Sequence, residues 1–428
     1  MTILTDETQL YAYLGFGYVP TVHKPDPFYL LGEVCPSGTL ESRSPDELIE
    51  QGTHLFRNSI RKIAEAQPAG KANVVMLSGG LDSRAILAGL LENFDAGNID
   101  ACTYGYPGND DYEMAAQIAR ATGVRHYQLN LLGFNWTTQD LLDSARLRSS
   151  PQSFVVGARY FYHKLYTQFG KESVFWDGLM GGTLSGVHIP SQPVDDWEEA
   201  VQKFIKSNRV ASPAGLVPIN FDLRSVLPKS PLCGQETMTY IDQLDVAFRQ
   251  TCYIHNRIPK GFQTETPYTD NEWANFILHV PWQWRKDQLL YRQILLRAYP
   301  KLFSLPVSGS RGANAGSSWR PQRHRKLIGQ ARSFAKRAFP KWRAVNVAHD
   351  INSKVGQEMR DNPSLRSVVT ENLAALRHRK LLDWVDLDAL WKQHLTQEKD
   401  HTTVLRVLLS LEITLKLEEM ELQQSLSR

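Results

Sequence analysis

A Ser-Gly-Gly-Leu-Asp-Ser run that begins at Ser78 combines residue types that bind phosphate and a metal ion. Gly79 and Gly80 let the backbone approach a phosphate closely. The hydroxyls of Ser78 and Ser83 can donate hydrogen bonds to it. The carboxylate of Asp82 would repel a bare phosphate, so its presence indicates a divalent cation between the two negative charges.

The elements on either side of this run would position it. An apolar β-type segment at 74–77 enters it, and an amphipathic helical pattern at 83–93 leaves it. This arrangement brings an anion to a helix N-terminus, where the first N–H groups have no intrahelical partner and the helix dipole favours negative charge. The alternative is that the glycines only turn the chain and that a Ser or Asp caps the helix.

Strand and helix patterns alternate in the first half of the chain. Strands are predicted at 74–77, 99–104, 126–131 and 173–176, and helices at 46–66, 83–93, 111–122, 137–147 and 154–168. This alternation predicts an α/β fold, a parallel sheet with helices on both faces that binds ligands at the carboxyl ends of its strands. Beyond about residue 190 helical patterns dominate, at 196–206, 236–256, 271–279, 287–298, 327–338 and 402–424.

Composition excludes several classes of protein. A net charge of +3 over 428 residues does not by itself imply a polyanionic partner. No apolar run is long enough to span a membrane, and residues 1–10 do not form a secretory signal. The four cysteines are widely spaced, which argues against structural zinc and disulfides and predicts a cytoplasmic protein. They are Cys35, Cys102, Cys233 and Cys252.

The run at Ser78 resembles the pyrophosphate (PP) loop of the ATP pyrophosphatase superfamily and lacks the Gly-Lys-Ser/Thr ending of a Walker loop. Further stretches narrow the resemblance to the synthetase domain of asparagine synthetase-like proteins. They are Thr-Tyr-Gly-Tyr-Pro-Gly-Asn-Asp-Asp-Tyr-Glu from Thr103, Trp-Asp-Gly-Leu-Met-Gly-Gly-Thr-Leu-Ser-Gly from Trp176, Glu-Thr-Pro-Tyr-Thr-Asp from Glu265, and Lys-Asp-Gln-Leu-Leu-Tyr-Arg from Lys286. The resemblance covers roughly residues 10–310.

The resemblance implies a ligase that uses ATP and Mg²⁺. A substrate carboxylate would attack the α-phosphorus of ATP, and an amine or ammonia would then displace AMP from the acyl-adenylate. Leu77, Tyr104 and Gly105 would lie near the adenine, although ordinary core packing explains them equally well. Lys286 would steady negative charge in the transition states, and the alternative is a plain surface lysine beside Arg285.

The N-terminal region departs from the glutamine-hydrolysing members of the family. Those members have a nucleophilic cysteine after Met1 and a whole glutaminase domain, whereas residue 2 here is Thr and some seventy residues precede the loop. Residues 12–36 resemble instead the linker that follows the glutaminase. The nucleophile is therefore expected to be free ammonia, an amine on a small-molecule or peptide substrate, or ammonia from a partner subunit.

The second departure concerns the metal. Active relatives carry Gly-x-Gly-x-Asp-Glu, and the first Asp helps to hold magnesium. Gly182 stands where that Asp is expected, and Asp177 is the nearest acid. Either Asp177 joins Asp82 as a metal ligand, or the metal site is weakened, or the chain is a degenerate relative that binds nucleotide without catalysis.

Other polar residues favour structural interpretations. Asp111 could cap a helix or lie near the nucleotide, and the cap is the preferred interpretation. Asp270 is expected to be structural. Glu198 and Glu199 are adjacent on a helix and are expected to face solvent, and no convincing general base stands out.

The stretch from Arg311 to Arg343 is strongly basic and follows Gly309, Gly312 and Gly316. A solvated helix or mobile loop, a lid over the site, and contact with triphosphate, an acidic peptide or RNA all remain open. A tRNA-modifying enzyme is therefore the alternative function, although nucleic acid is not the expected partner. The predicted organisation is a wrapping or linker segment at 1–60, a synthetase domain at 61–310, and a basic lid or linker with C-terminal helices at 311–428.

Overall fold

The structure, a computed structural model, describes residues 6–20, 40, 43–68, 70–148, 158–190, 194–210, 215–235, 238–252, 258–305 and 351–427. Within these residues lies one sheet of five parallel strands, in the order β3-β2-β1-β4-β5. The strands are β1 (Asn73–Met76), β2 (Ile99–Gly105), β3 (Arg125–Asn130), β4 (Val174–Trp176) and β5 (Gln263–Glu265).

The α-helices of the described residues fall before, between and after these strands. They are α1 (Glu7–Phe16), α2 (Pro45–Ala66), α3 (Asp82–Asn93), α4 (Asp110–Thr122), α5 (Thr138–Arg146), α6 (Ala158–Phe169), α7 (Gly181–Leu184), α8 (Trp197–Asn208), α9 (Tyr240–Leu244), α10 (Asn271–His279), α11 (Trp282–Arg285), α12 (Leu289–Ala298), α13 (Pro300–Phe303), α14 (Ile351–Asp361), α15 (Pro363–His378), α16 (Leu387–Leu395) and α17 (Thr402–Leu426). A π-helical segment, Asp245–Gln250, continues α9.

Side chains of the central strand alternate between two apolar cores, as a strand requires. Val75 belongs to a core shared with α2, α3 and α12, whereas Val74 and Met76 pack on the opposite face with Tyr162 and Leu165 of α6. Helices therefore cover both faces of the sheet. This confirms the predicted parallel α/β fold, followed by a mostly helical second half.

The central position of β1 determines where a ligand can bind. The chain passes from β1 to β2 on one side, while β4 pairs with β1 on the other side. A crevice opens at such a reversal of strand order, at the carboxyl ends of the strands. The residues that follow β1 and β4 lie at this point of the sheet.

Two of the elements that were not predicted from the sequence are β5 and α1. The short β5 lies where helical patterns dominate, and its three residues are only partly buried. Helix α1 has almost no amphipathic periodicity, although it has clear ends. The Asp6 side chain accepts a hydrogen bond from the Gln9 N–H at 3.2 Å, and Gly17 ends the helix at φ 78°.

A third apolar core joins distant parts of the chain. It contains residues of α1, α5, α14, α15 and α17, and the Tyr13 hydroxyl of α1 donates to the Val407 carbonyl of α17 at 3.1 Å. The sequence did not predict α14, α15 or α16. The predicted helix at 327–338, the basic 311–343 stretch with its glycines, and most of the linker at 12–36 lie outside the described residues. The boundaries near residues 60 and 310 stay predictions.

Among the helices that the structure describes, none combines the length and the apolar character needed to cross a membrane.

Candidate functional site

The loop between β1 and α3 follows the central strand without a break. The Leu77 N–H extends the ladder by donating to the Cys102 carbonyl at 2.8 Å. Helix α3 then begins after Leu81, and no side chain caps its N-terminus. The predicted alternative of a Ser or Asp cap on this helix is therefore wrong. The N-terminus of α3 follows the carboxyl end of the central strand.

The two serines close this loop on each other. The Ser83 hydroxyl accepts from the Ser78 N–H at 2.9 Å and lies 3.0 Å from the Ser78 hydroxyl. The Ser78 hydroxyl also accepts a long hydrogen bond from the Gly80 N–H at 3.3 Å. Ser83 is buried, whereas Ser78 is partly exposed. The loop is thus preformed, with Ser78 on its open side.

Two tyrosines from distant helical segments hold Asp82. The Tyr291 hydroxyl of α12 donates to its carboxylate at 2.9 Å, and the Tyr268 hydroxyl donates to its backbone carbonyl at 3.1 Å. Burial raises the pKa of Asp82 to about 6, while hydrogen bonds from Tyr291 and from the Gly182 N–H act in the opposite direction. The nearby Asp177 adds to the rise. A positive charge next to this carboxylate would stabilise its ionised form and lower its pKa.

The glycine-rich segment after β4 packs directly on Asp82. A Cβ at Gly178 would lie 2.9 Å from the Asp82 Cβ, and one at Gly181 would lie 2.6 Å from the Asp82 Cγ. Real Cβ atoms essentially never come that close. Glycine at 178 and 181 is therefore required for contact between this segment and the first turn of α3.

Gly182 differs from these two glycines. A Cβ there would meet the Asp82 Oδ2 at 3.5 Å, which is ordinary contact. The structure thus places Gly182 opposite the Asp82 carboxylate, with room for a Cβ. Asp177 is 2% exposed, and both of its oxygens accept hydrogen bonds, from the Tyr162 hydroxyl at 2.7 Å and from the Leu179 N–H at 2.9 Å.

These donors fit a magnesium ion that is bound mainly by phosphates. Mg²⁺ in nucleotide sites commonly takes one or two carboxylates together with phosphate oxygens and water. Asp82 offers such a carboxylate at the crevice, whereas Asp177 already serves two protein donors. Among the described residues, no group of three or more His, Cys, Asp or Glu side chains could hold a metal by itself.

Lys286 lies in a kink, and the helix that was predicted to begin at residue 287 begins after this kink. Asp287 and Gln288 have φ values of 56° and 60°, and α12 starts only at Leu289. Gln288 donates to the Ser185 hydroxyl at 2.8 Å, and its amide lies 3.8 Å from a Cβ built at Gly182. Lys286, which is partly buried, therefore belongs to a segment that adjoins the Asp82 surroundings.

Backbone strain is concentrated in the same place. Of the five described non-glycine residues with positive φ, three lie in the two segments next to Asp82. They are Met180, Asp287 and Gln288. Such conformations persist only where the surrounding structure enforces them, and they cluster at functional sites.

Arg285 joins these two segments and is itself held by a buried ion pair. Arg285 and Asp242 of α9 are 2.7 Å apart and almost fully buried. Arg285 also donates to the Leu184 carbonyl at 3.0 Å, and its own carbonyl lies 2.5 Å from a Cβ built at Gly186. Burial raises the pKa of Asp242, while Arg285 counteracts the rise. Arg285 is thus a structural residue under the kink.

The residues predicted near adenine lie at strand ends, as expected. Leu77 is buried in the core shared with α2 and α3. Tyr104 is half-buried at the end of β2, with its ring centroid 6.5 Å from that of Tyr162. A Cβ at Gly105 would lie 3.1 Å from the Tyr112 ring.

Of the other polar predictions, the cap at Asp111 is wrong. Asn109 caps α4, because its side chain accepts from the Asp111 N–H at 3.0 Å. Asp270 is structural and caps α10. Glu198 and Glu199 are exposed on α8 and pair with Arg224 and Lys203, as a solvated face does.

Sequence reasoning missed the contacts that Tyr268, Gln288 and Tyr291 make at the site. All three lie within stretches that were singled out for their family resemblance, at 265–270 and 286–292. Their positions in those stretches were therefore the available signal. Their contacts could not be read from spacing, because 209 residues separate Tyr291 from Asp82.

The fold is a parallel α/β fold that is consistent with the pyrophosphate-loop type. Residues 55–143 match the family model described as asparagine synthase. The resemblance predicted from the sequence is thereby confirmed for this segment, which contains the loop and β1 to β3 and is consistent with an asparagine synthetase-like synthetase domain. The match supports a family of ATP-dependent amide-forming ligases, whose members use ATP, typically with Mg²⁺. No curated protein sequence matches the chain significantly.

Proposed function

We propose that this protein is an ATP-dependent carbon–nitrogen ligase that adenylates a substrate carboxylate and couples it to an amine or ammonia. The proposal rests mainly on the N-terminus of α3, which has no side-chain cap. It follows a preformed loop of serines and glycines that leaves the central strand. The asparagine synthase match over the same residues supports it.

In the first step a carboxylate oxygen attacks the α-phosphorus, and the bond to the bridging oxygen of the β-phosphate breaks. The N–H groups of the loop and of α3 receive the charge of the departing pyrophosphate, as does the Ser78 hydroxyl. Asp82 would hold Mg²⁺, which neutralises phosphate charge when it is bound.

In the second step the amine nitrogen attacks the acyl carbon, the bond to AMP breaks, and the amine loses a proton. Lys286 is the cation that we assign to the charge developing on the acyl-adenylate. The kink at 286–288 would bring it toward the crevice from the side of Gly182.

The source of nitrogen that we propose is free ammonia, an amine on a small molecule or peptide, or a partner subunit that delivers ammonia.

The location that we propose is the cytoplasm. The three described cysteines are thiols, as a reducing compartment requires. They are Cys102, Cys233 and Cys252.

Exchange of labelled pyrophosphate into ATP tests the proposal, because adenylation reports the acid before the amine is known. The wild-type protein is screened with Mg²⁺ over amino acids, small carboxylic acids and peptides. We expect exchange with at least one acid, and Asp82→Ala should abolish both this exchange and magnesium-dependent AMP formation while the fold is retained. Unchanged turnover in Asp82→Ala would remove the loop from the mechanism.

Gly182 favours a second candidate, a relative that binds nucleotide without catalysis. Without a carboxylate at 182, Asp82 is the one acid that we assign to the metal. ATP binding without pyrophosphate exchange across the whole screen would select this candidate. A tRNA-modifying function gains no support from the described residues, because the basic stretch lies outside them.

A further inference from the structure

Arg84 is a buried cation in the first turn of α3. Its side chain is fully buried, and burial lowers its pKa to about 10. A positive charge near a helix N-terminus also opposes the helix dipole. Both the burial of this charge and its position near the helix N-terminus are unfavourable, and specific contacts must offset them.

Those contacts join the loop to the end of a different helix. One guanidinium nitrogen, Nη2, donates to the Gly79 carbonyl at 3.0 Å. The other, Nη1, donates to the carbonyls of Leu305 at 3.1 Å and Leu302 at 3.3 Å. The guanidinium carbon also lies 5.7 Å from the centroid of the Phe303 ring. The planar fork of arginine suits such divergent acceptors, whereas a lysine ammonium is a point charge on a flexible stem.

The contact with Gly79 determines the direction of a neighbouring N–H group. The Gly79 carbonyl and the Gly80 N–H belong to one peptide group, and in a trans peptide they point in opposite directions. Because the carbonyl points to the buried Arg84, the Gly80 N–H points to the open side of the loop. There it donates to the Ser78 hydroxyl at 3.3 Å, longer than the usual distance for such a bond.

We propose that Arg84 is the positioning residue of the phosphate loop, which fixes the Gly79–Gly80 peptide with its N–H toward a bound polyphosphate. Arg84 does not touch the nucleotide itself. The identity of the ligand rests on the proposed function, and the positioning of the peptide rests on the contacts of Arg84. Loss of Arg84 should therefore weaken the binding of ligands that carry β- and γ-phosphates. The binding of ligands that lack these phosphates should not change.

The test compares ATP with AMP by isothermal titration in the presence of Mg²⁺. We expect Arg84→Met and Arg84→Lys to weaken ATP binding by about tenfold, a loss of ~1.4 kcal/mol, while AMP binding stays at its wild-type value. Arg148→Met is the matched control. Arg148 is a second buried arginine, far from the loop in sequence, whose pKa burial also lowers to about 10. Its loss should lower the melting temperature but leave the ratio of the two affinities unchanged.

Each outcome decides a separate point. An equal loss for ATP and AMP, or no loss, would overturn the positioning role. Wild-type affinity in Arg84→Lys would also overturn it, because charge alone would then suffice. If Arg84→Met does not fold, Arg84→Lys provides the test, since it keeps the buried charge and most of the stem. A folded wild-type protein that binds no ATP would overturn the proposed function, and the inference with it.

Discussion

At Asp82, burial and hydrogen bonding act on one carboxylate in opposite directions. Burial raises its pKa to about 6, and the donors Tyr291 and Gly182 limit the rise. The raised pKa means that the folded protein keeps a proton which the unfolded chain has already released. The free energy of unfolding should therefore fall as pH increases between about 4 and 6.

Asp82→Asn should remove that dependence, because the amide does not titrate in this range. Without Mg²⁺ we expect the wild-type protein to lose about 1–3 kcal/mol relative to Asp82→Asn as pH rises from about 4 to about 7. Urea unfolding of both proteins at matched pH measures this difference. If the free energy of unfolding of both proteins changes with pH in the same way, the pKa of Asp82 is not raised in the folded protein.

A carboxylate introduced at Gly182 should strengthen metal binding. The site has room for a Cβ 3.5 Å from the Asp82 Oδ2, and a second carboxylate is common in phosphate-bound Mg²⁺ sites. We expect Gly182→Asp to bind Mg²⁺ on the order of tenfold more tightly in the presence of ATP, ~1.4 kcal/mol. Titration calorimetry measures this affinity.

Gly182→Asn is the matched control, since it has nearly the same shape without the charge. Equal affinities in these two variants would contradict a metal position between residues 82 and 182.

Between elements, the contact of the 178–182 segment with α3 depends on particular glycines. Gly181→Ala would place a Cβ 2.6 Å from the Asp82 Cγ, whereas Gly182→Ala makes only ordinary contacts. We expect Gly181→Ala to lower the free energy of unfolding by about 1–3 kcal/mol, and Gly182→Ala to change it by less than about 1 kcal/mol. Chemical denaturation checks both values. The reverse order would mean that the segment does not pack on α3 in solution.

The elements around the loop show what periodicity can predict. The run at Ser78 is contiguous, so that residue types and spacing alone reveal the strand, the turn and the start of α3. The kink at 286–288 is different, because its sequence continues a helical pattern. Its positive φ angles coincide with tertiary contacts, such as the hydrogen bond from Gln288 to Ser185. Such tertiary contacts cannot be predicted from local helix propensity.

Across the molecule, the sequence predicted the first four strands, the parallel sheet and the helices on both faces. It missed β5, which is three residues long, and the four-residue helices α7, α11 and α13. It also missed α1 and α14 to α16. The third apolar core explains why the helices α1 and α14 to α16 were missed. In this core α1 and α14, which lie far apart in the sequence, both pack with α17. An apolar face can be read from sequence, but its partner cannot.

The same limit applies to the candidate site. Five loop residues were assigned to the site from the sequence, whereas the hydrogen bond from Tyr291 to Asp82 joins residues 209 positions apart. The donation from Arg84 to the Leu305 carbonyl spans 221 positions. Long-range contacts of this kind form the surroundings of Asp82 and Arg84, so these surroundings could not be derived from spacing.

A crystal structure of the wild-type protein with ATP and Mg²⁺ tests the central claim most directly. The β- and γ-phosphates should lie within hydrogen-bonding distance of the Ser78 hydroxyl and the Gly80 N–H, with the metal bound to the Asp82 carboxylate. A nucleotide bound elsewhere, with nothing at this loop, would contradict the claim.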